Sequence, residues 1–185
     1  EQKRKTLEAI KSSLLIYQFT EKIKKTPVLT ARLLSTQSEE ELFDRAAGIL
    51  TSDALNYKDV TFLLVEGDRL EVHHSTKEGV GDGYSLASDD NRYTLFVRDE
   101  VSKLEANGTE ILVPLISRGT VLGLIVVTLH PRERIFFDEL KLISEWQKDA
   151  LLTIGDMIAL LLDNLRLYRD VSEQSITDTL TGVHN

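Results

Sequence analysis

Cysteine does not occur among these 185 residues. Its absence excludes disulfides, cysteine zinc sites, thiol redox switches and thioether-attached chromophores. Long apolar runs are missing too. The richest, Leu151 to Leu165, is broken by Asp156 and Asp163, short of the ~20 apolar residues a membrane span needs. No signal peptide is visible at the start. Positive charge is in short supply: 22 Lys and Arg face 30 Asp and Glu, a net charge of −8. An acidic chain repels nucleic-acid phosphates and anionic membranes, so neither is expected as a partner. The cluster Lys22, Lys24, Lys25 is balanced by Glu21 and reads as a solvated helix end. These absences suit a cytoplasmic protein. The chain begins at Glu1 and stops at Asn185, inside what resembles a motif. Both ends read as cuts from a longer protein.

What is present suits one globular domain with extra helix. Residues 1–27 form the first expected unit, a helix for dimerisation or signalling. Leu7, Ile10, Leu14 and Tyr17 make one apolar stripe, and Leu15, Phe19 and Ile23 make a second beside it. Pro27 interrupts the pattern. Ser38 followed by Glu41 is a capping box opening a helix that runs through Leu42, Phe43, Ala46, Ile49 and Leu50 to near Leu55. The trio Glu39, Glu40, Glu41 suits the positive end of that helix better than a metal.

Val60 to Val65 reads as a strand covered on both faces, and Leu70 to His74 as its hairpin partner across the turn Glu66-Gly67-Asp68. Residues 75–92 are polar and Gly-rich. Tyr93 to Arg98 reads as a short strand, and Asp99 to Ala106 as helical turns ended by Asn107-Gly108. Ile111 to Ile116 and Val121 to Leu129 make the clearest hairpin, turning at Ser117-Arg118-Gly119-Thr120. Gly123 leaves room for a neighbouring backbone or a large side chain. A long helix follows from about Phe137 towards Ser175. In it Leu151, Ile154, Ile158, Leu161 and Leu165 step by three and four, the spacing of a coiled-coil seam. The simpler alternative is one wide core stripe. The expectation is a parallel homodimer through this seam and through Leu7, Ile10 and Leu14 of the first helix.

The order of elements fits either a GAF-type or a PAS-type sensor, and its details resemble GAF. The segment ILVPLISRGTVLGLIVV, Ile111 to Val127, is similar to the GAF strand pair in which a Pro-Leu strand turns into a Gly-containing one. Phe136 to Tyr168 resembles the GAF exit helix. The resemblance covers roughly residues 28–168 and implies an α+β fold: an antiparallel sheet of about five to six strands flanked by helices, with long terminal helices in a dimer bundle. Asp178-Thr179-Leu180-Thr181-Gly182-Val183-His184-Asn185 resembles the opening of a GGDEF diguanylate cyclase domain, with Val183 in place of the usual Leu. Residues 169–185 are therefore expected to be a linker helix and the start of that domain. The resemblance implies a parent that condenses two GTP into cyclic di-GMP. Mg with GTP is expected only in that catalytic domain, and no cyclase activity in these residues. Asp178 and Asn185 are expected to act at the domain junction.

Within the domain no catalytic set stands out in spacing. His73 and His74 are neighbours on a strand, so their side chains are expected on opposite faces, unable to share a metal. Either could be an axial haem ligand; a structural or pocket role is the plainer one. Gly79-Val80-Gly81-Asp82-Gly83 has the glycines of a phosphate loop without a following helix, and reads as a loop. The resemblance places a small-molecule pocket around residues 73–110. The candidates there are His73, Ser75, Tyr84, Tyr93, Thr94, Phe96, Asp99, Thr109 and Glu110. Aromatic faces can stack a purine, and carboxylates and hydroxyls can read its edge. Amides near Asp99 could hold a phosphate. The plain alternative is a collapsed core. The Asn-Lys-Phe-Asp-Glu set of cyclic-nucleotide phosphodiesterase GAF domains is absent. The expected ligand is a cyclic nucleotide such as cAMP; a ligand-free relay module and a haem or chromophore sensor are the alternatives.

Overall fold

Ser38 opens the first well-defined helix. In the computed structural model, which describes residues 2–4, 6, 32–53, 55–80, 85–86, 92–98, 105–106, 109–130 and 141–181, helix α1 spans Glu39–Thr51. The Ser38 hydroxyl accepts from the Glu41 amide at 3.1 Å. The Glu41 carboxylate returns to the amide of Gln37 at 2.9 Å, one residue beyond the cap amide that a capping box would engage. Leu42, Phe43, Ala46, Ala47, Ile49 and Leu50 form its buried face. The helix stops at Thr51, short of Leu55.

The strands are β1 (Asp59–Glu66), β2 (Arg69–Ser75), β3 (Ser85–Leu86), β4 (Glu105–Ala106), β5 (Glu110–Ser117) and β6 (Thr120–Thr128). They form a six-stranded sheet in the order β3-β2-β1-β6-β5-β4, and every recorded pairing is antiparallel. Two tight hairpins set its register. Gly67 has φ +66° between β1 and β2, and Arg118 and Gly119 have φ +53° and +76° between β5 and β6. Paired positive φ values match the right-handed twist of the strands they join.

The two faces of the sheet bury different partners. On one, Val60, Phe62, Leu64, Val113, Leu115, Ile125 and Val127 pack under α1 and the long exit helix. On the other, Leu63, Val72, Leu112, Leu124 and Val126 pack with Phe96. Strand β1 is thus covered on both sides, as its continuous apolar run predicts. Gly123 on β6 serves a close backbone approach: a Cβ there would stand 2.0 Å from the carbonyl oxygen of Leu63.

Three sequence expectations are corrected. Arg92–Arg98 is a helix, α2, and not a strand. Tyr93, Phe96 and Val97 share one side of it and pack on the second sheet face; a short apolar run fits either state, and this contact decides it. Glu105 and Ala106 pair with Leu112 and Ile111 as an edge strand and are not helical. The exit helix, α3 (Lys141–Thr181), turns its expected dimer seam inward. Leu151, Ile154 and Ile158 are buried in the domain's own core, and Leu161 and Leu165 pack against it. A side chain sealed under its own sheet cannot also face a partner. Leu7, Ile10 and Leu14 lie outside the described residues, as do Gly182 to Asn185. No helix among the described residues is long and apolar enough to cross a membrane.

Candidate functional site

The sheet face away from α1 and α3 is not fully filled. A cavity of about 320 Å³ lies there between the central strands, α2 and the segment after β2. Its apolar part comes from Leu63, Val72, Val126 and Val80. Strand alternation puts Leu63 and Val126 on this face, and with them Thr61 on β1 and Thr128 on β6. These threonines supply hydroxyls to an otherwise apolar wall.

Charge enters from the two sides. Glu110 opens β5, and Lys77 follows β2; both line the cavity. Strands β1 and β6 lie between β2 and β5, which places the two backbones roughly 14 Å apart at ~4.8 Å per strand. Tyr93, on the first turn of α2, also lines the cavity. Its hydroxyl donates to the Glu110 carboxylate at 2.9 Å to one oxygen and 3.2 Å to the other. This bond orients the carboxylate at the cavity wall. Gly79, at φ +80°, lets the chain turn beside the opening.

Of the residues expected here, Tyr93 and Glu110 come together at the cavity. Ser75 stands behind it, its hydroxyl 2.7 Å from that of Thr61. Phe96 is sealed in the cluster beside it. Thr94 is half-buried on α2 and Thr109 is exposed before β5; neither lines the cavity. Tyr84 and Asp99 lie outside the described residues.

His73 is on the other face. A β-bulge sets Phe62 opposite His74 and Leu63 opposite Val72, leaving His73 as the extra residue. Two residues then oppose one, and the strict alternation of side chains fails. His73 meets the ring of Phe43 edge-on at 6.1 Å, and His74 lies 6.2 Å from Phe62. Both imidazoles therefore stand beside phenylalanines of the helix-side core, contrary to the expected opposite faces. His73 Nε2 lies 3.0 Å from Glu66, and it is not placed to ligate a haem in the cavity.

Sequence analysis does not single out Lys77, Thr61 or Thr128; the Gly79-Val80 segment is irregular, as expected of a loop, and lines the cavity. The threonines carried a signal: each is a polar residue within an apolar strand and points to the cavity face. Lys77 carried none.

No protein-family model matches the chain, and no curated protein sequence does. Solved structures do. The GAF domain of a phosphoenolpyruvate-protein phosphotransferase (ptsP) from Coxiella burnetii aligns with a TM-score of 0.62 at 12% identity, over 82% of this chain and 98% of that one. The chain has the GAF fold. The GAF domain of the Acinetobacter phosphotransferase gives a TM-score of 0.58 at 14% identity, over 78% and 94% of the two chains. The free methionine-R-sulfoxide reductase of Neisseria meningitidis, solved in complex with its substrate, gives 0.57 at 15% identity, over 77% and 88%. At such identities the likeness to these structures is one of fold. What the present GAF cavity binds has to be argued from its own residues.

Proposed function

We propose that the domain senses a small molecule in this cavity and uses it to regulate a diguanylate cyclase domain beginning near Asp178. The carrying observation is a cavity of about 320 Å³ with Lys77 on one flank and Glu110 on the other. That volume sits at the low end of small-molecule sites, ~300–1,000 Å³, and suits a mononucleotide better than a cyclic dinucleotide. A phosphate would meet Lys77. A purine edge bearing N–H groups would meet Glu110, held in place by Tyr93. The hydroxyls of Thr61 and Thr128 would complete the polar contacts, and the valines would cover the base. cAMP is the first ligand to test. Sulfoxide reduction by a thiol is not open to this chain, which has no cysteine.

The readout is a population shift. A ligand that prefers one arrangement of the domain biases the direction in which α3 leaves it. Two cyclase domains, each with one GTP, then meet or fail to meet. Moving such an equilibrium from 1:99 to 99:1 takes a differential affinity of ~5.5 kcal/mol, and smaller values suffice for partial control.

The test is a thermal-shift screen against cAMP, cGMP, AMP, GTP and cyclic di-GMP, followed by calorimetry. A ligand at a hundred times its dissociation constant adds ~2.7 kcal/mol to stability, a shift of several degrees for a domain of this size. Flat melts across the panel would leave a ligand-free relay module. A protein extended past Asn185 should make cyclic di-GMP from GTP, and its rate should respond to the same ligand.

A further inference from the structure

We infer that the β2 end of the cavity is an oxyanion subsite, where the Thr61 hydroxyl and the Lys77 ammonium together hold one negatively charged oxygen group of the ligand and Ser75 fixes the proton order. The inference rests on the small-molecule reading of the cavity and narrows it. The ligand carries a phosphate or a carboxylate at this end.

The segment that carries Lys77 is pinned by hydroxyls. Register sets Ser75, the last residue of β2, opposite Thr61 on β1. Beyond it Thr76 continues the ladder, its amide donating to the Val60 carbonyl at 2.9 Å. The Thr76 side chain adds a second bond, its Oγ1 accepting from the Val60 amide at 2.9 Å. The Lys77 amide donates to Ser75 Oγ at 3.2 Å, and the Val80 amide returns to the Lys77 carbonyl at 3.3 Å. Residues 77–80 therefore close a turn beside β1, in which Gly79 supplies the positive φ of +80°. Lys77 and Val80, the two ends of that turn, both line the cavity.

The same bonds set the direction of the Thr61 hydroxyl. A hydroxyl has one proton and two acceptor sites. Ser75 Oγ lies 2.7 Å from Thr61 Oγ1, and by distance alone either could donate. The Lys77 amide can only donate, so it occupies one acceptor site of Ser75. If Ser75 donates to Thr61, the spare proton belongs to Thr61, which lines the cavity. In the reverse order the spare proton belongs to Ser75, which stands half-buried behind the wall with no further acceptor among the described residues. A half-buried proton without an acceptor is the costlier arrangement. Thr61 is therefore a donor to whatever fills the cavity.

Charge completes the site. The Lys77 side chain is exposed and enters no ion pair among the described residues. Glu110 lines the same cavity, but β1 and β6 separate its strand from β2, so it does not neutralise Lys77. An ammonium has three protons and no acceptor site. Two donors side by side, one of them charged, suit an oxygen bearing negative charge, the partner with which such bonds are shortest and strongest.

The test uses simple anions and the whole chain. Inorganic phosphate, sulfate and acetate are titrated in turn at constant ionic strength, and the amide resonances of Thr61 and Lys77 are followed by NMR. At least one anion should give a saturable shift at both residues within tens of millimolar. Phosphate or sulfate marks a phosphoryl ligand, and acetate a carboxylate. Thr61→Val keeps the branched shape and removes the hydroxyl; it should weaken that anion roughly three- to tenfold, while Thr61→Ser stays within about twofold. Lys77→Gln, at an exposed position, should weaken it by a similar factor. Ser75→Ala should weaken it and Ser75→Thr restore it, read as anion affinity well below the melting temperature, where every variant is folded. No saturable shift with any of the three anions overturns the inference, as does binding indifferent to Thr61→Val and Lys77→Gln. The two readings fail separately. A nucleotide that binds wild type and both variants equally leaves sensing intact and removes the subsite. An anion held through Thr61 and Lys77, with flat melts across the nucleotides, keeps the subsite and removes the nucleotide.

Discussion

Arg166 on α3 donates from Nε to Oε1 of Glu39 at 2.9 Å, tying the exit helix to the first turn of α1 across 127 residues of chain. Both side chains are less than a quarter exposed. The same guanidinium reaches Glu66 at 3.4 Å, and Glu66 in turn holds His73. Glu39 therefore does more than complement a helix dipole. If it acted only on the dipole, Glu39→Gln and Arg166→Gln would have additive effects on stability. The pair should instead show a coupling of ~1–2 kcal/mol in a double-mutant cycle, the range of a partly buried charged hydrogen bond. Urea unfolding of the four proteins measures it.

A second tie joins α3 to the β5–β6 hairpin. The buried hydroxyl of Ser117 donates to Asp163 at 2.9 Å, and Arg118 stands 3.5 Å from the same oxygen. Ser117→Ala should cost about 1–2 kcal/mol, because Asp163 keeps only the more exposed Arg118. A change within error would show that water replaces the hydroxyl without loss.

Two glycine substitutions should act in opposite directions. Gly123→Ala puts a Cβ 2.0 Å from the Leu63 oxygen and 2.8 Å from the Leu64 Cα, both backbone atoms of a central strand. A loss of at least ~3 kcal/mol is expected, or failure to fold. Gly48, within α1, has nothing within 4 Å of such a Cβ. Gly48→Ala should raise stability by ~0.5–1 kcal/mol through helix propensity alone. Melting temperatures of the two variants settle both signs.

The position of the site predicts a contrast between two basic residues. For a nucleotide that raises the melting temperature, Lys77→Gln should weaken binding roughly three- to tenfold, an exposed charge being worth ~1 kcal/mol near a phosphate. His73→Phe, on the opposite sheet face, should leave affinity within about twofold. Calorimetry showing the reverse order would move the site to the helix side of the sheet.

Much of the fold is legible locally. The Ser38 cap and the turns at Gly67 and Arg118-Gly119 are each set by residues within a few positions of one another, and the apolar run of β1 and the glycine at position 123 signal burial and close approach without naming the distant residues that supply them. The site was legible only in part. Tyr93 and Glu110 were expected, but Tyr93 was assigned to a strand, and its hydroxyl meets Glu110 because α2 lays it across the sheet. His73 was misplaced because a bulge depends on the partner strand, and a rule of alternation along one strand cannot see it.

By itself the sequence determined which stretches are apolar, with what period, and where the chain turns. It also determined that no thiol chemistry is available, and that α3 carries more apolar surface than one contact requires. Tertiary structure alone decided how that surface is shared. A stripe stepping by three and four fits a core or a partner equally well, because both are simply apolar surroundings. Only packing on the sheet assigned Leu151, Ile154 and Ile158 to the core and left Leu160, Leu167 and Val171 facing water.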